Sequence, residues 1–376
     1  MTPRQETTRR QFLGAGAALA AAWGTMAAAR PEPPVRRPVI DCTDLYHPPQ
    51  DPGDNVDLVA AYALPEVDLR AVILDITEQY RNDVPRDPGY IPILQLNRIF
   101  DRNVPCGVTP FTAMRHPYDA MADAPRFQQS GIDLLLRCLD ESDGPVDITS
   151  FGSARPVAVA YNREPELMLD KVRLVHLCAG SSEPGLLEWN VVLDPYAFIR
   201  VLRSRLPVAI YPCATKDGPF AYGPHNCFWL LENLGFIRNM APRLRQYLLY
   251  AFTASNRSDF LRYLDEEPAA GTLDSVCARR HNVWETCVWM QVAGRRLVRH
   301  ADGSHRIVAA SDVLASDAVL PDELVPCRVE VDDHAEMRWE PCGRPSHTLM
   351  YDRGNPMANE SALREALPAQ YESFGR

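Results

Sequence analysis

PVIDC (residues 38–42) and AVILDI (residues 71–76) are two short apolar segments, separated by a polar loop and an amphipathic segment at 57–64. Strand, loop, helix and strand at this spacing predict a βαβ unit, whose two strands run parallel in one sheet. The same alternation recurs downstream, with predicted strands at 146–152, 172–180 and 206–212 and helices at 131–142, 155–168 and 194–205. Because these strands are almost continuously apolar, we expect an α/β fold with a layered, mostly parallel sheet and helices on both faces.

The N-terminus has the pattern of an export signal. TRRQFL (8–13) carries two adjacent arginines, and a short run of small apolar residues follows it and ends in AAA (27–29). This pattern predicts export by the twin-arginine route to a periplasmic or extracytoplasmic location. A membrane anchor is the alternative, but the run is short and rich in Ala and Gly. We expect no stable membrane span once the signal is removed.

The charge of the chain restricts its partners. The 376 residues carry a formal net charge of −10, and the remainder without residues 1–29 carries −12. An acidic chain of this kind lacks the basic surface that nucleic-acid backbones require, so small molecules and metal ions are the expected ligands. The predicted organisation is a signal and linker at 1–35, an α/β domain at 36–330 and a C-terminal extension at 331–376. A homo-oligomer is left open.

Ten cysteines are scattered along the chain, with no C-x-x-C pair and no Cys/His cluster at the spacing of a zinc site. Cys178 and Cys213 lie within apolar runs, which predicts that they are buried core residues. An oxidised pair is left open among four others, namely Cys277, Cys287, Cys327 and Cys342.

An acidic cluster follows the first predicted strand. Its members are Asp41, Asp44, Asp51, Asp54 and Asp57. The carboxyl end of a strand is where α/β sheets place their sites, and carboxylates that converge there repel one another unless a hard cation such as calcium or magnesium neutralises them. The alternative is a solvated loop in which Asp54 or Asn55 caps the next helix.

Two further groups carry polar residues suited to a ligand site. Glu188 and Asn190 are two apart on a segment predicted to be extended, so both would point towards one ligand. Asp194 precedes a proline, which predicts a helix N-cap instead. His281 and Glu285 lie at the predicted start of a helix over 281–294. The alternative for Glu285 is a structural role, because a negative charge in the first turn interacts favourably with the helix dipole.

These three groups, in this order, resemble the motifs of the nucleoside hydrolase family of the inosine-uridine-preferring type. That family begins with a strand and D-x-D-x-G-x-D-D, and this chain has VIDCTD at 39–44 and GDNVDLVAAYAL at 53–64. The family's P-E-L, M-G-G and E-F-N-x-x-x-D-P correspond to PEL at 165–167, CAG at 178–180 and EWNVVLDP at 188–195. The resemblance covers about residues 38–295 and implies the Rossmann-like fold of that family.

The resemblance implies a Ca²⁺ site. Asp41 matches the first motif Asp, which is a calcium ligand that also activates the attacking water, and Asp57 matches the last motif Asp. Phe151 occupies the position whose backbone carbonyl binds calcium, and Glu285 replaces a late Asp ligand. The spacing of Asp41 and Asp44 is one residue longer than in the family, and an insertion at 45–51 follows.

The resemblance also implies the substrate contacts. Glu188 and Asn190 match residues that hold the ribose hydroxyls and stabilise charge on the sugar ring. The family's adjacent Asp pair is Val56-Asp57 here, so Asp54 or Asn55 would replace the ribose-binding Asp. His281 is the candidate for protonating the leaving group.

The expected function is calcium-dependent hydrolysis of the N-glycosidic bond of a nucleoside or related riboside. The alternative is a lapsed member of the family that binds a sugar or nucleoside without turnover. The base and the sugar are not specified by these motifs.

Overall fold

The structure is a computed structural model that describes residues 36–45, 53–78 and 87–375. The twin-arginine segment, Asp51 and most of the predicted insertion lie outside these residues. No helix within the described ranges is both long and apolar enough to cross a membrane.

Fourteen strands and twelve α-helices are present in the described part of the chain. The strands are β1 (Arg37–Thr43), β2 (Val67–Leu74), β3 (Cys106–Val108), β4 (Val146–Ser150), β5 (Val172–Leu177), β6 (Val208–Ile210), β7 (Trp229–Leu231), β8 (His281–Val283), β9 (Arg295–Arg299), β10 (His305–Ala309), β11 (Ala318–Val319), β12 (Glu323–Val331), β13 (Met337–Pro341) and β14 (Thr348–Asp352). The helices are α1 (Asp54–Ala63), α2 (Tyr90–Phe100), α3 (Ser130–Asp140), α4 (Arg155–Arg163), α5 (Pro165–Lys171), α6 (Trp189–Leu193), α7 (Pro195–Leu202), α8 (Pro242–Phe252), α9 (Phe260–Tyr263), α10 (Thr272–Cys277), α11 (Thr286–Ala293) and α12 (Pro356–Ser373).

Nine strands form the central sheet in the order β13-β12-β14-β6-β5-β4-β1-β2-β3. The seven strands from β14 to β3 pair in parallel, and β12 and β13 add an antiparallel edge. The predicted α/β class with a mostly parallel sheet is confirmed. The predicted βαβ unit corresponds to β1, α1 and β2, whose strands pair in parallel from Arg37 with Val67 to Thr43 with Leu74, with one register shift between Val39 and Ile40.

Helices cover both faces of the sheet, and the alternation of side chains along each strand determines which face a residue joins. On β1, Val39 packs into the core beneath α1, α8, α11 and α12, whereas Ile40 and Cys42 pack into the core beneath α3, α4 and α7. Asp41 and Thr43 therefore share the face of Val39. This alternation places the polar residues of β1 under α1.

The C-terminal segment predicted as an extension at 331–376 is an integral part of the sheet. Strand β14 pairs in parallel with β6, with Thr348 opposite Val208, and β12 pairs along its other edge. Helix α12 buries Leu363 and Tyr371 in the core. The domain boundary predicted at residue 330 is wrong because the alternation of β-like runs near the C-terminus gave no indication that one of them returns to the middle of the sheet.

Candidate functional site

Four residues follow parallel strands at their C-terminal ends, among them the predicted site residue Phe151. Asp44 follows β1, Phe151 follows β4, Cys178 follows β5 and Cys213 follows β6. The carboxyl ends of parallel strands are where open α/β sheets bind ligands. Motifs that are far apart in the sequence therefore meet at one edge of the sheet.

Asp41 lies within β1 and is 1% exposed. Its register partner on β4 is Thr149, whose Oγ1 donates a 2.7 Å hydrogen bond to Asp41 Oδ1. Burial raises the pKa of Asp41 to about 7, and the hydrogen bond from Thr149 opposes that rise. Asp41 is thus a buried carboxyl whose surroundings shift its pKa to about 7.

Asp44 lies just beyond the end of β1, beside Gly152. A Cβ atom added at Gly152 would lie 3.1 Å from Asp44 Cβ and 3.1 Å from Asp75 Oδ2, so a side chain at this position would crowd both aspartates. The negative charge of Asp44 also contributes to raising the pKa of Glu188. Asp44 therefore connects the first predicted group with the second, although the family resemblance assigned the ligand role to Asp41.

Three of the polar residues predicted after β1 lie at the start of α1. Asp54, Asn55 and Asp57 are all buried, at 7%, 0% and 3% exposure. The N-cap is Gly53, which has no side chain to cap with, so the alternative in which Asp54 or Asn55 caps the helix is wrong. Thr43 Oγ1 lies 3.5 Å from Asp54 Oδ2, which joins the start of the helix to the end of β1.

Asp57 and Glu285 both act electrostatically on a tyrosine of the C-terminal helix. Burial, together with the negative charges of Asp57 and Glu285, raises the pKa of Tyr371 well above its ordinary value. The Tyr371 hydroxyl donates to Val56 O at 3.1 Å, within the first turn of α1. Tyr371 was not predicted, because nothing in the sequence links the last helix with the first.

Phe151 is fixed from two directions. Its backbone N–H donates to Cys42 O at 2.8 Å, and its ring packs against Trp289 of α11 with centroids 5.6 Å apart. Helix α11 also packs against α1. The elements that carry Asp57, Phe151 and Glu285 are consequently in contact.

The four predicted calcium ligands do not form a compact carboxylate cage. Within the described ranges, one group of three or more Asp, Glu, His or Cys side chains has ligand atoms within 4.8 Å of one another, and it consists of three cysteines. The predicted donors are nevertheless all oxygens, and Asp41, Asp57 and Glu285 are buried carboxylates, which is the donor chemistry that calcium prefers. The calcium site therefore stays a prediction, which rests on the chemistry of these donor atoms.

Glu188 and Asn190 are not on an extended segment, as the sequence predicted. Glu188 is the N-cap of α6, and its Oε1 accepts from Asn190 N at 3.0 Å. Its Oε2 accepts from Gly180 N at 2.9 Å, and Asn190 Nδ2 donates to Cys178 O at 2.8 Å. Both side chains fasten the loop after β5, so each has a structural task beside any contact with a ligand.

The pKa of Glu188 is raised to about 7. Burial is the main cause, and Asp44 adds to it, whereas backbone hydrogen bonds from Asn190 and Gly180 oppose it. Two carboxyls of this edge, Asp41 and Glu188, therefore hold protons more tightly than ordinary acids do.

His281 and Glu285 also differ from their prediction. The helix predicted over 281–294 is a short strand, β8, followed by α11, and His281 lies on the strand, where its ring packs edge-on against Phe252 at 5.5 Å. Glu285 is the residue before α11, and its Oε2 accepts from Trp284 N at 3.2 Å. The helix was predicted to begin five residues too early because β8 is short and only two residues separate it from α11.

A buried ion network beneath the site was missed. Arg155 is 0% exposed, and its guanidinium lies 2.9 Å from Asp194 Oδ2 and 3.4 Å from Asp75 Oδ1. Asp194 also accepts from Ala197 N, which confirms its predicted role as a helix N-cap. The signal in the sequence was a lone charged residue within each of two apolar runs, ILDI and ARPVA.

Several aromatic rings surround Trp284, next to Glu285. Phe220 and Phe228 lie 6.0 Å and 5.4 Å from its ring centroid, and Tyr222 packs on Phe228 at 5.2 Å. Phe220 is 59% exposed, so one side of this aromatic cluster faces solvent.

Solved structures match this architecture over most of the chain. An inosine-guanosine nucleoside hydrolase superposes with a TM-score of 0.52 at 16% identity, covering 89% of this chain and 99% of that one. A purine-preferring ribonucleoside hydrolase from Gardnerella vaginalis gives the same TM-score and coverage at 14% identity. The fold is that of the nucleoside hydrolases.

Sequence comparison finds relatives of the same kind over a shorter span. The pyrimidine-specific ribonucleoside hydrolase RihA of Escherichia coli O127:H6 is 30% identical over 182 residues, which is 43% of this chain and 57% of the relative. The match thus spans a little over half the length of this curated relative. No family model matches the chain.

Proposed function

We propose that the chain hydrolyses the N-glycosidic bond of a nucleoside or related riboside. The observation that carries this proposal is the position of Asp44 and Asp75 beside Gly152, with the charge of Asp44 acting on the buried Glu188, at the strand ends of a nucleoside hydrolase fold. The name of the relative with 30% identity supports nucleosides as the substrate class.

Calcium would be held by the Asp41 and Asp57 carboxylates, the Phe151 carbonyl oxygen and Glu285. This set is the one that the family resemblance implies, and it offers the oxygen donors that calcium binds in proteins. A bound calcium ion would supply the positive charge that lowers the pKa of a coordinated water molecule. Asp44 is the competing candidate for the place of Asp41, because its charge acts on Glu188 and raises the pKa of that carboxyl.

The side chains of the chain itself would do the remaining work. Asp41 would take the proton of the attacking water, and Glu188 with Asn190 would favour the positive charge that develops on the sugar ring. Asn55 would bind a ribose hydroxyl, since Tyr247 occupies its Oδ1 at 3.1 Å while no acceptor in the described residues bonds its buried Nδ2. His281 would protonate the leaving group, with Asp54 as a second ribose contact.

The aromatic cluster around Trp284 favours a planar leaving group. Aromatic rings stack on one another in offset or edge-on arrangements, and Phe220 offers an exposed ring of this kind against Trp284. A nucleobase has the planar shape that such a surface accepts.

The test is an assay of the purified chain on a panel of purine and pyrimidine nucleosides and synthetic ribosides, with and without a chelator. We expect release of the free base, loss of release on chelation and recovery with added calcium. Asp57→Asn should behave like the chelated protein, whereas Asp68→Asn, at a β2 aspartate paired with Arg70, serves as the control.

The rival function is binding without turnover. Titration calorimetry on the same panel distinguishes it, because a binder would give saturable heat with an intact nucleoside and no free base. Turnover of none of the compounds, together with binding of one, would replace the hydrolase proposal with the binder.

We also propose that the chain is exported by the twin-arginine route. The support is the adjacent arginine pair at residues 9–10, followed by a short Ala-rich apolar run.

A further inference from the structure

Three cysteines that are far apart in the sequence meet next to the candidate site. Cys178 follows β5, Cys213 follows β6 and Cys227 precedes β7, and all three are buried. Cys178 Sγ lies 3.5 Å from Cys213 Sγ and 3.7 Å from Cys227 Sγ, and the three sulfurs all lie within 4.8 Å of one another. Cys287 of α11 interacts with Cys227 as a further thiol neighbour.

We propose that Cys178, Cys213 and Cys227 bind one thiophilic metal ion of the zinc type, with Cys287 as the adjacent fourth sulfur. This site is separate from the oxygen donors proposed for calcium and does not depend on the hydrolase proposal.

The spacing of the sulfurs fits a shared ion. Thiolates at about 2.3 Å from one tetrahedral zinc ion lie roughly 3.8 Å apart, which is close to the two distances measured from Cys178. A disulfide would need sulfurs about 2.05 Å apart, and all ten cysteines are free. Thiolate ligands favour zinc or copper(I) over the hard cations that carboxylates bind.

A buried positive charge lies beside the cluster without a carboxylate partner. Arg353 is 1% exposed, and its guanidinium donates to Gly223 O, Phe228 O and Asn226 Oδ1, which are all neutral acceptors. Within the described ranges no Asp or Glu oxygen forms an ion pair with Arg353, although buried charges are normally paired. Two of its acceptors flank Cys227, so thiolates on a metal ion would provide the missing negative charge.

The same cysteines are tied to the candidate site through their backbones. Asn190 Nδ2 donates to Cys178 O at 2.8 Å, and Trp284 Nε1 donates to Cys213 O at 2.9 Å. An ion that holds Cys178 and Cys213 together would therefore fix the loops that carry Asn190 and Trp284. Outer contacts of this kind are typical of metal sites.

The simplest competing explanation is a group of neutral buried thiols. Cys227 Sγ also lies 3.3 Å from Pro212 O, an acceptor that would suit a protonated thiol. Free cysteines pack as small apolar residues with a weak S–H donor. Neutral thiols leave the charge of Arg353 unbalanced, which is the reason for preferring the metal.

The experiment measures the metal content of the full chain produced with zinc supplementation and dialysed against a weak chelator. We expect one zinc per chain by elemental mass spectrometry, and absorption of the sulfur-to-cobalt type after replacement by cobalt. Cys227→Ser should abolish both signals. Cys138→Ser, at a half-buried cysteine of α3, is the matched control and should retain them.

Thiol alkylation of the wild-type protein keeps the proposal testable if Cys227→Ser does not fold. We expect the three cysteines to resist alkylation until a strong chelator removes the ion, and Arg353→Met to lower the zinc content. Absence of zinc from the folded wild-type chain would overturn the proposal, as would a mass loss of two hydrogens that indicates a disulfide in the cluster.

Discussion

Thr149 and Asp41 form a hydrogen-bonded pair across the middle of the sheet, where Thr149 Oγ1 lies 2.7 Å from Asp41 Oδ1. Asp41 of β1 and Thr149 of β4 lie opposite each other where these parallel strands pair, and both side chains are almost completely buried. Burial raises the pKa of Asp41, and the hydrogen bond that the Thr149 hydroxyl donates lowers it. The strand pairing that defines the fold thus also controls the protonation of a candidate catalytic carboxyl.

Replacing Thr149 tests this pairing. Thr149→Val keeps the shape but leaves Asp41 without its donor, so the free energy of unfolding should fall by about 1–3 kcal/mol in urea denaturation. Thr149→Ser keeps the hydroxyl and should lose less. Equal stability of the valine and wild-type proteins would show that the hydrogen bond contributes nothing.

Asn190 should serve both structure and chemistry. Asn190→Ala removes the donor to Cys178 O, which should cost about 1 kcal/mol of stability. It should also lower kcat/KM by roughly a hundredfold, the scale for loss of one transition-state contact. Asn239→Ala, at an exposed asparagine that donates to Glu372, is the control for both measurements. An unchanged kcat/KM in an active enzyme would remove Asn190 from the site.

The buried network around Arg155 should be a main determinant of stability. Arg155→Met leaves two buried carboxylates without their cation, and the expected loss is about 3–5 kcal/mol. Arg243→Met breaks an exposed pair with Asp265 and should cost within about 1 kcal/mol. Thermal and urea unfolding of both variants provide the comparison, and similar losses would contradict the structural role given to Arg155.

Asp322 should make stability fall as the pH rises. Burial raises its pKa from 3.8 to about 6, against hydrogen bonds from Tyr351 and Gln291. Between about pH 4 and pH 6 the folded chain therefore holds more protons than the unfolded one, and its free energy of unfolding decreases with pH. The effect of this one group is roughly 3 kcal/mol for a shift of about two pKa units.

Asp322→Asn removes that titration. The difference in unfolding free energy between the variant and the wild type should grow in favour of the variant from pH 4 to pH 7, as measured by urea denaturation at each pH. Asp312→Asn, at an exposed aspartate, is the control. A difference that is constant with pH would show that Asp322 is not the responsible group.

Export should depend on the arginine pair. Replacing Arg9 and Arg10 by Lys should leave the folded protein in the cytoplasm, because the twin-arginine pattern is the feature that defines the route. Cell fractionation with immunodetection provides the measurement, and Arg4→Lys is the control. Export of the double variant at the wild-type level would contradict the N-terminal interpretation.

The sequence predicted those parts of the fold that depend on local patterns. The apolar runs at β1, β2, β4, β5 and β6 identified the parallel core, and the Asp194-Pro195 pair identified the start of α7. Segments in which a side chain bonds to a distant backbone were not predictable in this way. The spacing of two between Glu188 and Asn190 indicated an extended segment. In the structure Glu188 caps a one-turn helix, and the distant backbone N–H of Gly180 also donates to its carboxylate.

The candidate site was predicted in part for the same reason. The acidic loop and the position of Glu285 follow from motif order, whereas the nearness of Asp44 to Asp75 depends on a glycine in another strand's loop. Cys178, Cys213 and Cys227 have no zinc-like spacing in the sequence, and they meet only because β5 and β6 are neighbours. Long-range pairing, which no local pattern encodes, accounts for these differences.

The return of the C-terminal segment to the centre of the sheet has a consequence for synthesis of the chain. Strand β14 provides the neighbour of β6, and Tyr371 donates to the carbonyl oxygen of Val56, which precedes it by 315 residues. Contacts at such separations form slowly, and a ribosome releases α12 long after α1. The acidic end of the first helix therefore acquires its final surroundings only after α12 has been synthesised, and the candidate site of the nascent protein stays incomplete until then.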